Sequence, residues 1–360
     1  MSRTAPTNPI WTWLVPLLAW ASMLTPSNAT IAVVIAAIFL GGTVFAAVHH
    51  AEVVAHRIGE PFGTLVLAIA VTVIEVALIV SVMLTGGEAK AALARDTVFS
   101  AIMIVCTGIV GLCLLLGGIK HREQDFHLQG ATSAMGVLAA LSVLSLVLPN
   151  YTSSRLGPVW SPAQLAFSGF VALVLYGTFV FVQTIRHRDY FLPVDGAVGD
   201  ETSHAEPPTV KQAWGSGALL MVCLVAVVGL AKKLSPVIEE VVLSAGAPAA
   251  VVGIVIAALV LLPEGLAAAR AAQANRLQTS LNLALGSALA SIGLTIPTVA
   301  AIFIVTGQPL ILGLEAKETV LLALTLLVST ISLSTGRTTI LQGTVHLMIF
   351  AAFLFLSIVP

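Results

Sequence analysis

Charge is what this sequence has least of. Only 9% of its 360 residues are Asp, Glu, Lys or Arg, and they balance to a net charge of -1. Aromatic residues make up 6%, and there are three cysteines. Each shortage excludes something. No basic cluster interleaved with aromatics is present, so nucleic acid is not an expected partner. Cys106, Cys113 and Cys223 all fall inside apolar runs. Cys106 and Cys113, seven residues apart on one helix, hold their Cα atoms about 10 Å apart, too far for a disulfide. They read as small apolar packing residues. What the chain has instead is hydrocarbon: 58% of residues are apolar and the mean hydropathy is +1.03, far outside the range of soluble domains.

The expected fold class is therefore an all-α polytopic membrane protein. Windows of about 19 residues predict eleven transmembrane helices near 10-24, 30-50, 62-85, 97-118, 127-149, 162-185, 212-231, 247-269, 278-306, 316-334 and 339-359. The first could be misread as a signal peptide, because Arg3 precedes it and "SNA" stands at 27-29. Its interior Pro16 and its Trp11, Trp13 and Trp20 fit an interfacial belt better. With eleven spans, basic loop residues such as Arg57, Lys120, Arg122, Arg186, Arg188 and Lys211 fall on the N-terminal side. That bias places the N-terminus in the cytoplasm.

The extended polar stretch "HRDYFLPVDGAVGDETSHAEPPTV" (187-210) is acidic and rich in Gly and Pro, and reads as a cytoplasmic linker. It divides the chain into an N-terminal helix (1-28), a first five-helix repeat (29-186), the linker (187-211) and a second five-helix repeat (212-360). An odd number of spans in each repeat makes the two inverted. The halves share a pattern. "AEVVAHRIGEP" (51-61) is followed after thirteen residues by Glu75, and "EEVVLSAGAP" (239-248) after fifteen by Glu264. Glu52 thus matches Glu240, Gly59 matches Gly246, Pro61 matches Pro248, and Glu75 matches Glu264. Each proline suits the first turn of the helix that follows.

Both matched glutamates are expected near mid-membrane, where a pair of charged carboxylates would cost about 5 to 7 kcal/mol. They must be protonated, cation-bound or hydrated. Two close carboxylates favour one shared proton or one cation, which makes protons and cations competitors. Thr72 lies one turn before Glu75 on the same face. Ser100, Asn282, Ser287, Ser291 and Thr295 lie on the spans that follow, as candidate oxygens or as locally bonded side chains. Pro263 and Gly265 flank Glu264 and could free backbone carbonyls. A second constellation, "HHAEVVAH" (49-56), sets His49, Glu52 and His56 on one helical face beside His50. It can be read as a proton or cation relay, a satisfied interfacial cluster or a zinc site; Glu240, with Glu239, would serve the opposite side. Arg95, Asp96, Arg337 and His346 are weaker candidates, since flanking charges usually snorkel.

The stretches "HAEVVAHRIGEPFGTLVLAIAVTVIEVALI", "ARDTVFSAIMIV", "LLPEGLAAARAAQANRLQTSLNLALGSALASIGLTIP" and "STGRTTILQGTVHL" resemble the ChaA-type cation/proton antiporters of the calcium/cation exchanger superfamily, from about residue 30 onward. The resemblance implies one extra helix plus two inverted five-helix halves in a bacterial inner membrane. It also implies exchange of Ca²⁺, Na⁺ or K⁺ for H⁺, with Glu75 and Glu264 as the ion-binding acids. It implies a secondary transporter rather than an enzyme, with no resident cofactor and with cations, protons and the bilayer as partners; homo-oligomerisation stays open. The superfamily's Gly-Asn-x-x-Glu pattern is altered here to Val71-Thr72-Val73-Ile74-Glu75 and Val260-Leu261-Leu262-Pro263-Glu264. A monovalent-selective Na⁺(K⁺)/H⁺ antiporter is the first alternative. An intramembrane metal-dependent enzyme using His49, Glu52 and His56 is the second.

Overall fold

The computed structural model of the chain describes residues 9-24, 30-59, 62-86, 91-193, 208-244, 246-248, 250-307 and 310-359. The linker's residues 194-207 and Pro61 lie outside them. Among the described residues eleven helical rods appear where the apolar runs predict them. They are α1 (Ile10–Met23), α2 (Thr30–Ile58), α3 (Phe62–Gly86), α4 (Leu93–Met103) continuing through a π-helical stretch (Ile104–Ile109) into α5 (Val110–His121), α6 (Leu128–Ser142), α7 (Pro162–Phe181), α8 (Val210–Ser244), α9 (Ala250–Gln273), α10 (Leu277–Thr306), α11 (Ala316–Leu333) and α12 (Ile340–Ile358). Among the described residues nine rods are long and apolar enough to cross a membrane, and Ile10–Met23 and Ile69–Met83 are shorter apolar stretches.

Two helices outrun their hydropathy windows. α2 continues to Ile58 rather than residue 50, and α8 to Ser244 rather than residue 231. Lys232, Lys233, Glu239 and Glu240 are therefore helical residues, not loop charges. Hydropathy senses the hydrocarbon slab, whereas a helix continues as long as its backbone bonds and packing allow.

The matched glycines are the clearest structural trace of the repeat. Gly59 has φ +77° and Gly246 has φ +73°, a left-handed conformation that costs glycine nothing. Each ends the helix that carries its matched glutamate, Glu52 or Glu240. α9 begins at Ala250, two residues after Pro248, and the Val251 amide donates to the Pro248 carbonyl. Pro248 thus stands at the entry to α9.

The chain packs as two compact units that cut across the sequence halves: Met1–Val82 with Val198–Ala245, and Met83–Ala197 with Gly246–Pro360. In the first, α1, α2 and α8 pack on one another. A Cβ on Gly42 would lie 2.8 Å from Val15, so α1 and α2 touch closely there. The Trp20 indole donates to the Val222 carbonyl and Lys233 to the Ser22 carbonyl, tying α1 to α8.

In the second unit the rod from α4 to α5 is the centre: every residue of α4 is buried. Its partners approach through small residues, as they must where lipid is as apolar as leucine. On one side, a Cβ on Gly253 of α9 would lie 3.0 Å from Asp96, and one on Gly265 3.1 Å from Ile109. Further along, Cys113 packs with Ala268 and Ala272. On the other side, Gly111 faces His346 and Leu347 of α12, Gly118 faces Ile340, and Gly343 faces the Leu115 backbone. Large residues point outward instead: α7 exposes Phe167, Phe170, Leu173 and Val174 while burying Ser168, Gly169 and Ala172.

The rod ends are held by polar ties. A two-residue ladder pairs Gln124–Asp125 with Arg337–Thr338, and Arg337 reaches the Asp125 carboxylate at 2.8 Å. Lys120 and His121 both bond the Gln273 carbonyl at 2.9 Å, and Gln124 bonds that of Ala272. The last carbonyls of α9 are thereby satisfied. The start of the linker is strapped to α10, where the Asn282 amide donates to the Phe191 carbonyl at 2.5 Å.

Because Gly343 abuts a backbone amide 2.5 Å from where a Cβ would stand, Gly343→Ala should cost about 1 to 3 kcal/mol. Gly177, with open space around it, should tolerate alanine or gain about 0.5 kcal/mol from helix propensity. Melting temperatures in detergent test this: equal values for the two variants would refute the tight α5–α12 seam.

Candidate functional site

Glu264 stands fourteen residues into α9 and Glu75 thirteen residues into α3, about 20 Å along each helix axis and hence deep in an apolar span. Glu75 is 3% exposed, and Thr72, one turn earlier on the same helix, is 4% exposed. Both carboxylate oxygens of Glu264 are buried. α9 runs unbroken through Pro263, so the Leu259 carbonyl loses the amide donor that residue 263 would otherwise supply.

The second unit gathers the other candidate oxygens around the Glu264 helix. Ser100 lies on α4 and Ser287 and Ser291 on α10; α4, α9 and α10 pack on one another. Ser100 and Ser291 are buried and Ser287 is half-buried. The Ser100 hydroxyl donates to the Asp96 carbonyl at 2.6 Å, a local bond that leaves its lone pairs able to accept or to ligate. Thr295 is fully buried on the same α10. Asn282 is occupied differently: it accepts from Gln278 and donates to Phe191, which makes it a strap for the linker.

In the first unit the histidine stripe divides. His50 is fully buried and its Nε2 donates to the Thr12 carbonyl at 3.1 Å. The His49 ring lies 6.0 Å from Trp11 and 5.6 Å from His50. Both therefore pack against α1. Glu52, His56 and, on α8, Glu240 are exposed. Among the described residues no group of three or more His, Cys, Asp or Glu side chains is arranged to hold a metal ion. The reading of His49, Glu52 and His56 as a zinc centre, and with it the metal-enzyme alternative, therefore gains nothing from the structure. His49 packs against α1, whereas Glu52 and His56 are exposed.

Two polar constellations carry more weight than their sequence signal. Arg95 and Asp96 are not a solvated flank but a buried ion pair at the start of α4, with Arg95 Nη2 2.7 Å and Nε 2.8 Å from Asp96 Oδ1. A third guanidinium nitrogen reaches the Gly313 carbonyl at 3.2 Å, fixing the chain that leads into α11. His346, on α12, is fully buried. Its Nδ1 lies 2.6 Å from the Cys106 carbonyl and its Nε2 3.1 Å from the Ser332 hydroxyl. Neither partner is adjacent in sequence, so no local pattern marks them.

Apolar spans that bury a glutamate at mid-depth, each after a left-handed glycine turn, define a polytopic membrane protein for ion transport. The chain belongs to the sodium/calcium exchanger protein family, whose model matches residues 28–185 and 215–359. It is 50% identical over 358 residues, 98% of this chain and 97% of the relative, to y4hA of Sinorhizobium fredii, whose name gives ionic transport as a provisional role. It is 37% identical over 343 residues, 95% of this chain and 92% of the relative, to the sodium-potassium/proton antiporter ChaA of Escherichia coli. The solved structure of native YfkE shares the fold, with a TM-score of 0.75 at 16% identity, covering 98% of this chain and 100% of that one.

Removing one member of the buried ion pair strands the other. Arg95→Met should destabilise the protein by about 3 to 5 kcal/mol, whereas Arg95→Met combined with Asp96→Asn should recover most of that loss. Melting curves of the two proteins decide: a double variant no more stable than the single one would show that the pair is not what holds this corner.

Proposed function

We propose that the protein is a secondary antiporter that exports cations in exchange for protons, with Glu75 and Glu264 as the acids that bind either. What carries this reading is the matched pair of turns, in which Gly59 and Gly246 share one left-handed conformation and each leads into a helix with a glutamate near mid-span. The family membership and the name of the Escherichia coli relative support it. A carboxylate held in an apolar span is stable only when something neutralises it. Proton and cation satisfy that demand by the same oxygens, so binding one expels the other, and exchange follows once access alternates between the two sides.

Residues 29-186 and 212-360 form the two inverted repeats of this proposal, and rocking of one bundle against another alternates access. Thr72, Ser100, Ser287 and Ser291 supply oxygens to the ion. Glu52, His56 and Glu240, which are exposed, assist ion access, with Glu52 and His56 on the cytoplasmic side and Glu240 opposite. The N-terminus and the linker are cytoplasmic, and the membrane is a bacterial inner membrane.

Na⁺ and K⁺ are the favoured cargo. Ca²⁺ takes six to eight oxygens, yet the two positions where the superfamily carries asparagine hold Thr72 and Leu261. One hydroxyl replaces two amide oxygens. Ca²⁺ is the second reading, favoured by the family's description and by the fit of a divalent ion to two carboxylates.

Purified protein in vesicles with an imposed pH gradient tests the proposal. Adding Na⁺ or K⁺, and then Ca²⁺, should dissipate the gradient, and Glu75→Gln and Glu264→Gln should each lower exchange by at least about 100-fold, as removal of a buried charge partner predicts. Because protonation competes with cation binding, the half-saturating cation concentration should fall as pH rises on the loading side, then level off once the carboxylates are ionised. No dissipation by any of the three cations, or normal exchange by both glutamine variants, would refute the reading.

A further inference from the structure

The geometry points to His346 as a positioning residue for ion exchange: through the Cys106 carbonyl it holds the π-helical stretch Ile104–Ile109 in the register that seats the Glu264 helix. The inference rests on the reading of Glu264 as an ion-binding acid, and it extends the site to a side chain on a different helix.

The first link is a single hydrogen bond. A carbonyl oxygen can only accept, so His346 Nδ1, 2.6 Å from the Cys106 oxygen, carries the hydrogen. The ring's other nitrogen is anchored by the Ser332 hydroxyl at 3.1 Å, which fixes the ring's orientation. Backbone contact reinforces the bond: a Cβ on Gly111 would lie 2.8 Å from His346 Cβ and 3.1 Å from the Leu347 amide. α12 thus rests directly on the rod just after the π stretch.

The second link is the π stretch itself. It closes with the Val110 amide bonding the Val105 carbonyl, one residue wider than an α turn. Such a turn inserts a residue into the helix, and everything beyond it is rotated by about 100° relative to a continuous α-helix. A carbonyl inside it needs a donor, since the surroundings offer no water. Cys106 is fully buried, and His346 supplies that donor.

The third link is Ile109, at the end of the stretch. It packs against the cluster of Cys113, Ala268 and Ala272, and its Cδ1 comes within 3.1 Å of where a Cβ on Gly265 would stand. Gly265 is the residue next to Glu264. The orientation of Ile109 is therefore part of the wall that fixes the carboxylate's helix, and that orientation depends on whether the stretch stays π or relaxes to α.

His346→Asn keeps a donor near the place of Nδ1, and His346→Leu removes it at similar volume. In the vesicle assay, His346→Leu should raise the half-saturating cation concentration by about tenfold, the size expected for one buried hydrogen bond left unmade, with the maximal rate altered less than about threefold. His346→Asn should stay within about twofold of the original protein on both measures. A half-saturation unchanged in His346→Leu, or His346→Asn as impaired as His346→Leu, overturns the inference. Hydrogen–deuterium exchange on the detergent-purified full chain reads the same link without transport: amides in 104-111 and 264-268 should exchange faster in His346→Leu only. Equal exchange in all three proteins also overturns it. If the vesicles show no exchange at all, or Glu264→Gln transports normally, the antiport reading fails, while the amide measurement still decides the role of His346.

Discussion

Helices in a bilayer gain nothing from hiding apolar surface from lipid, so their association depends on how closely their backbones approach. In the larger unit that constraint falls on one rod, from Leu93 through the π stretch to His121. Glycines meet it from both sides: Gly253 and Gly265 on α9, Gly343 on α12, and Gly111 and Gly118 on the rod itself. At most of these places a methyl group would collide with backbone or with a Cβ, which cannot move aside. The register of α9 on the rod is thereby set at two points, Gly253 against Asp96 and Gly265 against Ile109, twelve residues apart on α9. The placement of the helix that carries Glu264 follows from that register.

The same close packing governs the polar groups. With no water to satisfy an interior carbonyl or guanidinium, each must find protein. Arg95 is bonded by Asp96 and Gly313, His346 by Cys106 and Ser332, and the α9 terminus by Lys120, His121 and Gln124. These ties join segments up to 240 residues apart, and they occur at rod ends or at the π stretch. Asp96 has a fixed counter-charge, Arg95, at 2.7 Å and is for that reason a structural acid.

Much of this was legible in the sequence, and the parts that were not share a cause. Eleven long apolar runs are enough to locate eleven rods, and a glycine three residues or fewer ahead of a new run marks the turns at Gly59 and Gly246. Mid-span glutamates stand out because their cost in lipid is large. What failed to show was whatever depends on a partner far along the chain. Arg95 and Asp96 looked like a flank because Gly313 and the packing of Gly253 cannot be inferred from their neighbours. His346 looked like one polar residue among many because the carbonyl it serves belongs to Cys106. His49 shared a stripe with Glu52 and His56, with His50 beside it, yet α1 captures both histidines through Trp11 and Thr12. Hydropathy likewise missed the last turns of α2 and α8, which extend past the slab it senses.

The altered motif bears on selectivity through the number of protein oxygens rather than through charge. An amide three residues before each glutamate would add one neutral oxygen per half at no electrostatic cost. Here the first half keeps a hydroxyl, Thr72, and the second has Leu261, with Pro263 releasing the Leu259 carbonyl from its usual amide partner. On the proposed reading the ligand set would be unequal between halves and short of the six to eight oxygens that Ca²⁺ takes, so water would complete the shell of a divalent ion. Two carboxylates acting together, as proposed, would balance one divalent ion, two monovalent ions, or a monovalent ion and a proton. With charge balance permitting all three, the preference falls to dehydration: an ion that surrenders little water gains from a sparse site, and one that needs a full cage does not. If Glu75 and Glu264 bind the cargo as proposed, so sparse a site would favour monovalent cargo and keep the proton, which needs a single oxygen, as its strongest competitor.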